Sequence, residues 1–249
     1  MALVPPFAQA LGWLRAGELP ALYAHYGQLQ TRFEQGDAHE DALDADFELF
    51  APEWIPNPRF FDDWRAHQGD SPALSLAEAR WYFEQALFVR GDGGAAEVSD
   101  FEWRRIGVYI AQARRAALAS LAHSPRSLMS CILLGRIERI FSGCFEDEGE
   151  GEAFDWYGHG LGLAPDSALL ALARLQCLRP EWGGSKAAMA AFVEAQPAVL
   201  QTALKAAMHR FLLQHAAFFE GTPGLIQTHF DAAEALQPES AWNCFWRAM

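Results

Sequence analysis

Signals that begin and end helices recur along this chain at short intervals, and almost nothing in it begins a strand. Asn57-Pro58, Ser71-Pro72 and Ser124-Pro125 each set a capping side chain before a proline whose fixed φ suits the first helical position. Ser99 is followed three residues later by Glu102, the spacing of a capping box, and Gly91, Gly93 and Gly94 stop the preceding segment. From Ser99 to Ser124, Ile106, Tyr109, Ile110, Ala113, Ala117 and Leu121 recur at helical spacing. Arg104, Arg105, Arg114 and Arg115 are expected to leave the opposite side polar. The segment from Pro72 to Arg90 carries two apolar rows, one through Leu74, Ala77, Trp81 and Phe88, the other through Leu76, Ala79, Phe83 and Leu87. A helix apolar on two sides belongs inside a stack.

The same reasoning predicts further helices at about 6–16, 19–35, 38–50, 58–68, 125–141, 152–163, 166–179, 185–195, 198–219, 224–236 and 240–248. No run alternates β-branched residues, and Asp92-Gly93 joins two helical segments instead of turning a hairpin. Short links make neighbours antiparallel, so the expected fold is all-α, an irregular tetratricopeptide-like stack of antiparallel helix pairs. A strict period of about 34 residues cannot be read. The 249 residues are expected to form one domain, with an acidic helical segment over 1–55 and a repeat-like body over 56–249. A hydrophobic fraction of 51% supplies the apolar surface for a core and excludes a disordered chain.

No apolar run approaches the roughly 18 residues that cross a bilayer, and the apolar start of the chain lacks a basic region before it. The expected compartment is therefore the cytoplasm, with no membrane partner. Cys131, Cys144, Cys177 and Cys244 lack the paired short spacing of a zinc site and read as small core hydrophobes.

Charge is unevenly placed. Between Arg32 and Arg59 lie eight acids, Glu34, Asp37, Glu40, Asp41, Asp44, Asp46, Glu48 and Glu53, with no Lys or Arg among them. Between Arg139 and Arg174 lie seven more, Glu146, Asp147, Glu148, Glu150, Glu152, Asp155 and Asp166. The formal net charge is -13, so the chain outside these stretches is nearly neutral. Concentrated negative potential disfavours direct nucleic-acid binding and favours basic partners. The run from Phe145 to Glu152 mixes acids with glycines and reads as an exposed loop; it lacks the spacing of a calcium loop. Phe154-Asp155-Trp156-Tyr157 follows, either an aromatic interface anchor or packing at a helix start.

A search for chemistry yields little. His209 and His215 are six apart and point to different helix faces, and His215 lies in line with Leu204, Met208, Phe211 and Phe218, where a hydrogen-bonded core histidine is expected. No HExxH motif, phosphate loop or nucleophile elbow occurs, and Gly158-His159-Gly160-Leu161-Gly162 lacks dinucleotide-binding spacing. Pairs such as Asp62 and Asp63 nominate no acid and base by sequence alone. Arg90-Gly91-Asp92 reads as a helix end with its glycine stop. No cofactor, no metal and no catalytic residue is expected.

Leu178-Arg179-Pro180-Glu181-Trp182-Gly183-Gly184-Ser185, with Met189 and Phe192, resembles a signature of an uncharacterised bacterial family of helical, tetratricopeptide-like proteins known only as a domain of unknown function. The Ser71-Pro72-Ala73 helix ending in Arg90-Gly91 resembles the same family, and the likeness spans about residues 60–195. In the residues themselves, Trp182 falls in a helix connection, Gly183 and Gly184 permit its turn, and Ser185 caps the next helix. The resemblance implies an all-helical fold without catalytic residues. Some members are encoded beside secreted bacterial toxins, type VI effectors among them, which implies an immunity role.

The resulting expectation is an immunity protein that occludes the basic cleft of a cognate protein toxin. Glu146, Asp147, Glu148, Glu150, Glu152 and Trp156 are the expected contacts, with Asp41, Asp44 and Glu48 as a second patch. The alternative is a helical scaffold or adaptor that binds a peptide or protein in a groove. An enzyme of unfamiliar type would show itself by a compact pocket holding His, Asp and a strongly perturbed ionisable group.

Overall fold

A computed structural model describes residues 5–36, 40–91, 97–141 and 154–237. Among these residues there are twelve α-helices and no strand. They run α1 Pro5–Ala16, α2 Leu19–Glu34, α3 Glu40–Phe47, α4 Arg59–Gln68, α5 Pro72–Arg90, α6 Asp100–His123, α7 Leu128–Phe141, α8 Trp156–Leu163, α9 Ala168–Cys177, α10 Lys186–Glu194, α11 Ala198–His215 and α12 Pro223–Leu236. A 3-10 turn, Pro180–Trp182, links α9 to α10, and a π-helical turn, Ala216–Glu220, extends α11. Among the described residues no helix is long and apolar enough to cross a membrane. The helix expected at 240–248 lies outside the described residues.

Helix starts follow the capping chemistry that the sequence announces. Ser71 accepts a hydrogen bond from Leu74 N–H, and Pro72 opens α5. Ser99 and Glu102 satisfy each other's backbone donors in a complete capping box at the start of α6. Asn57-Pro58 opens α4 one residue late, with Pro58 itself at the N-cap and Asn57 accepting only from Arg59 N–H. Ser124-Pro125 departs altogether, because it closes α6 instead of opening the next helix. Ser124 N–H donates to Ser120, its hydroxyl donates to Glu34, and α7 begins only at Leu128.

The contacts gather into two compact units, Met1–His159 and Gly160–Met249, with the boundary inside α8. In the first unit an aromatic core joins α2, α3 and α4. The ring of Tyr23 stacks on Trp64 at 4.6 Å, and Tyr26 packs against Phe47, Phe50 and Trp64. Trp81 of α5 anchors there through its indole N–H, which donates to the Ile55 carbonyl at 2.8 Å. Helices α5 and α6 form the dominant antiparallel pair, with Ile106, Ile110, Ala113 and Ala117 of α6 fully buried. Both apolar rows of α5 are buried as expected, from Leu74 and Leu76 through Trp81 and Phe83; Phe88 departs from the pattern and is 78% exposed.

The second unit packs α9, α10 and α12 around α11. Its core holds Leu175, Met189, Val193, Leu204 and Leu212.

Candidate protein-interaction surface

The acids of the first stretch divide between interior and surface. Asp44, on α3, receives a bidentate clamp from Arg136 of α7 at 2.9 and 3.0 Å, and Arg80 of α5 stands 3.8 Å away. Asp46 is 1% exposed and faces the His25 ring nitrogen at 3.0 Å, while its backbone carbonyl accepts the Tyr26 hydroxyl. Glu40 is also buried. Period-3.6 geometry explains the division: Glu40, Leu43, Asp44 and Phe47 share one helical face, so α3 cannot bury Leu43 and Phe47 without drawing these carboxylates inward. Asp44, expected at a partner surface, is instead neutralised by the chain's own arginines. Glu48 is exposed, as is Glu53; Asp41 lies in α3, and its side chain is outside the described ones.

In the second stretch, Glu146, Asp147, Glu148, Glu150 and Glu152 lie outside the described residues. Trp156 is 3% exposed and so belongs to the interior, not to an interface. Its indole N–H donates to Glu138 at 2.7 Å, and its ring lies over Gly135, where a Cβ would come within 2.7 Å of ring carbons. A bulky indole needs a partner surface at hand, and the absent side chain of Gly135 provides it within the first unit.

The signature around Trp182 forms a polar knot in the second unit. Arg179 pairs with Glu181 and lays its guanidinium 4.8 Å from the centroid of the Phe211 ring. Glu181 also faces His215 at 3.1 Å, and Glu220 stands 3.6 Å from the other nitrogen of that ring. Lys186 donates to Glu220 at 2.9 Å, which holds that carboxyl below the usual range. Gly183 adopts φ +85°, and a Cβ on Gly184 would fall 2.1 Å from the Leu178 carbonyl oxygen. Ser185 accepts from Ala188 N–H and caps α10. The motif therefore ties the α9–α10 connection to the end of α11.

Next to it, His209 of α11 and His229 of α12 bring their Nδ1 atoms to 3.2 Å. Burial pushes both imidazoles below their ordinary pKa, and each cation would repel the other. One ring donates and the other accepts, so the pair is built for neutral histidines. Among the described residues no group of three or more His, Cys, Asp or Glu is gathered in a way that could hold a metal ion.

The surface feature that sequence reasoning missed is on α6. Phe101, Arg104, Arg105 and Val108 fall at i, i+3, i+4 and i+7, one stripe on the side away from Ile106 and Ile110. Phe101 is 62% and Val108 61% exposed, and with Tyr109 these residues line an open groove of about 520 Å³. The Arg105 guanidinium lies 6.0 Å from the centroid of the Phe101 ring. Phe88 is exposed at the same end of the α5–α6 pair. The face expected to be polar is thus apolar and cationic together. The i, i+7 spacing of Phe101 and Val108 is present in the sequence, but Arg104 and Arg105 between them give that face a polar pattern.

Compared with family models, with characterised proteins and with solved structures, the chain matches none of them.

Proposed function

We propose that this chain is a protein-binding module, and that it acts by occupying a partner rather than by transforming a substrate. The observation that carries this reading is the α6 stripe: two large apolar side chains, each more than 60% exposed, flanked by guanidiniums and set on a rigid helix. Isolated exposed apolar residues are ordinary, but a contiguous aromatic, aliphatic and arginine stripe has the composition of an interface centre. A rigid helix face also loses little freedom when a partner docks.

In its specific form the reading is immunity: the partner is a protein toxin, and the acidic run Glu146, Asp147, Glu148, Glu150 and Glu152, with Asp41 and exposed Glu48, meets its basic cleft. The ground for that form is the likeness of the residues around Trp182 to that family's signature, which no matching family model accompanies. Asp44 and Trp156 take no part in it, because the first is clamped by Arg136 and the second is buried.

The test is purification of the full chain with the product of the neighbouring gene, repeated with charge reversal at Glu146, Glu148 and Glu150 and, separately, with Phe101→Ser/Val108→Ser. The binding reading expects a stoichiometric complex that the second variant weakens. The immunity form expects the first variant to weaken it too, with a steep salt dependence. A complex indifferent to both variants overturns the assignment of these surfaces.

A further inference from the structure

We propose that the α6 stripe is a docking site for an acidic protein segment carrying at least one large apolar side chain. This deepens the reading of α6 as a binding face and rests on it. The argument is charge complementarity at short range. Arg104 and Arg105 are exposed on the stripe, and among the described residues neither forms an ion pair with a carboxylate. Of the nearby acids, Glu102 is held on the Ser99 hydroxyl and backbone, which lower its pKa with a smaller contribution from the charge of Arg105, so Arg105 is partly offset; Asp100 stands one turn before Arg104 without an ion pair to it.

Two forked guanidiniums one residue apart present donors suited to bidentate capture of carboxylates. Phe101, Val108 and Tyr109 supply the apolar floor of the groove between and beyond them. A wholly polar acidic segment would leave that floor wet, and a wholly apolar one would leave both guanidiniums without a counter-charge. The matching ligand therefore alternates carboxylates with an aromatic or aliphatic anchor.

Two other polyanionic surfaces fit less well. Nucleic acid and anionic lipid both extend far beyond the groove, over distances at which a chain of formal charge -13 repels them. A short acidic segment feels mainly the charges within one screening length, roughly 8 Å at physiological salt.

The experiment is selection of a random peptide library displayed on phage against the immobilised full chain, with counter-screening on Phe101→Ser/Val108→Ser and on Arg104→Glu/Arg105→Glu. All four side chains are exposed, so these variants keep their thermal midpoint, which is checked by circular dichroism. The expected result is enriched peptides with net negative charge and an aromatic or large aliphatic residue, bound at least tenfold more weakly by each variant. Peptides that depend on Phe101 and Val108 but are neutral or basic overturn the acidic-partner inference and leave the binding module standing. No enrichment, or peptides bound equally by every variant, overturns both. Binding of the wild-type chain to phosphatidylserine vesicles or to oligodeoxythymidine, lost in Arg104→Glu/Arg105→Glu, overturns the inference in favour of a lipid or nucleic-acid surface.

Discussion

Replacing Asp44 with Ala removes the bidentate partner of Arg136 in a largely enclosed site, while Arg80 keeps Glu84 at 2.8 Å. The two arginine side chains are 22% and 15% exposed, so water relieves only part of the lost pairing. The expected destabilisation is about 2–3 kcal/mol, somewhat below the usual cost of breaking a buried pair, read by urea denaturation. Gly184→Ala acts by volume instead: its Cβ meets a backbone carbonyl, which cannot rotate away as a side chain can. A loss of about 1–3 kcal/mol is expected, while Gly162→Ala, in open space, serves as the neutral control. The residue scale is also where sequence reasoning is weakest. Trp182, Gly183 and Ser185 were readable as a turn and a cap because those roles are local. The pairing of Glu181 with His215 was not readable, because it joins residues 34 positions apart. Asp44 and Trp156 failed as surface residues for the same reason, since Arg136 and Gly135 come from α7.

At the scale of elements, the His209–His229 contact joins α11 to α12 and makes their packing dependent on pH. Both histidines have folded-state pKa values below their unfolded ones, so the unfolded chain binds more protons. Their contribution to stability is complete above the unfolded value of roughly 6.5 and is lost as pH falls below it. Lys186 deepens the depression at His229 and Glu220 opposes it. The thermal midpoint is expected to fall between pH 7 and pH 5, and less steeply in His229→Gln; an identical slope in that variant would remove the pair from the account. The helix boundaries themselves were largely legible, because capping boxes and proline starts act within a turn. Ser99→Ala should cost about 1 kcal/mol, measured by chemical denaturation, in keeping with loss of an N-cap. Ser124-Pro125 misled because its hydroxyl is committed to Glu34, a long-range contact that outweighs a local capping preference.

Across the whole molecule, the all-α class followed from pattern alone, since period-3.6 burial with no alternating run leaves no other architecture. The partition of contacts at His159 and Gly160 did not follow from it: composition changes near residue 55, whereas contact density changes inside α8. In the sequence, only the charge runs pointed to a candidate surface. Those runs pointed to the acids around residue 150, but the α6 stripe needed the structure, because only packing reveals which face of an amphipathic helix stays uncovered.

The decisive quantity is the affinity of the full chain for its best selected acidic peptide, measured by titration calorimetry for the wild type and for Phe101→Ser/Val108→Ser. If α6 is the docking face, binding is at least tenfold weaker in the variant, and weaker for both proteins as salt rises from about 0.05 to 0.5 M. Equal affinity in the two proteins, or binding indifferent to salt, would contradict that role for α6.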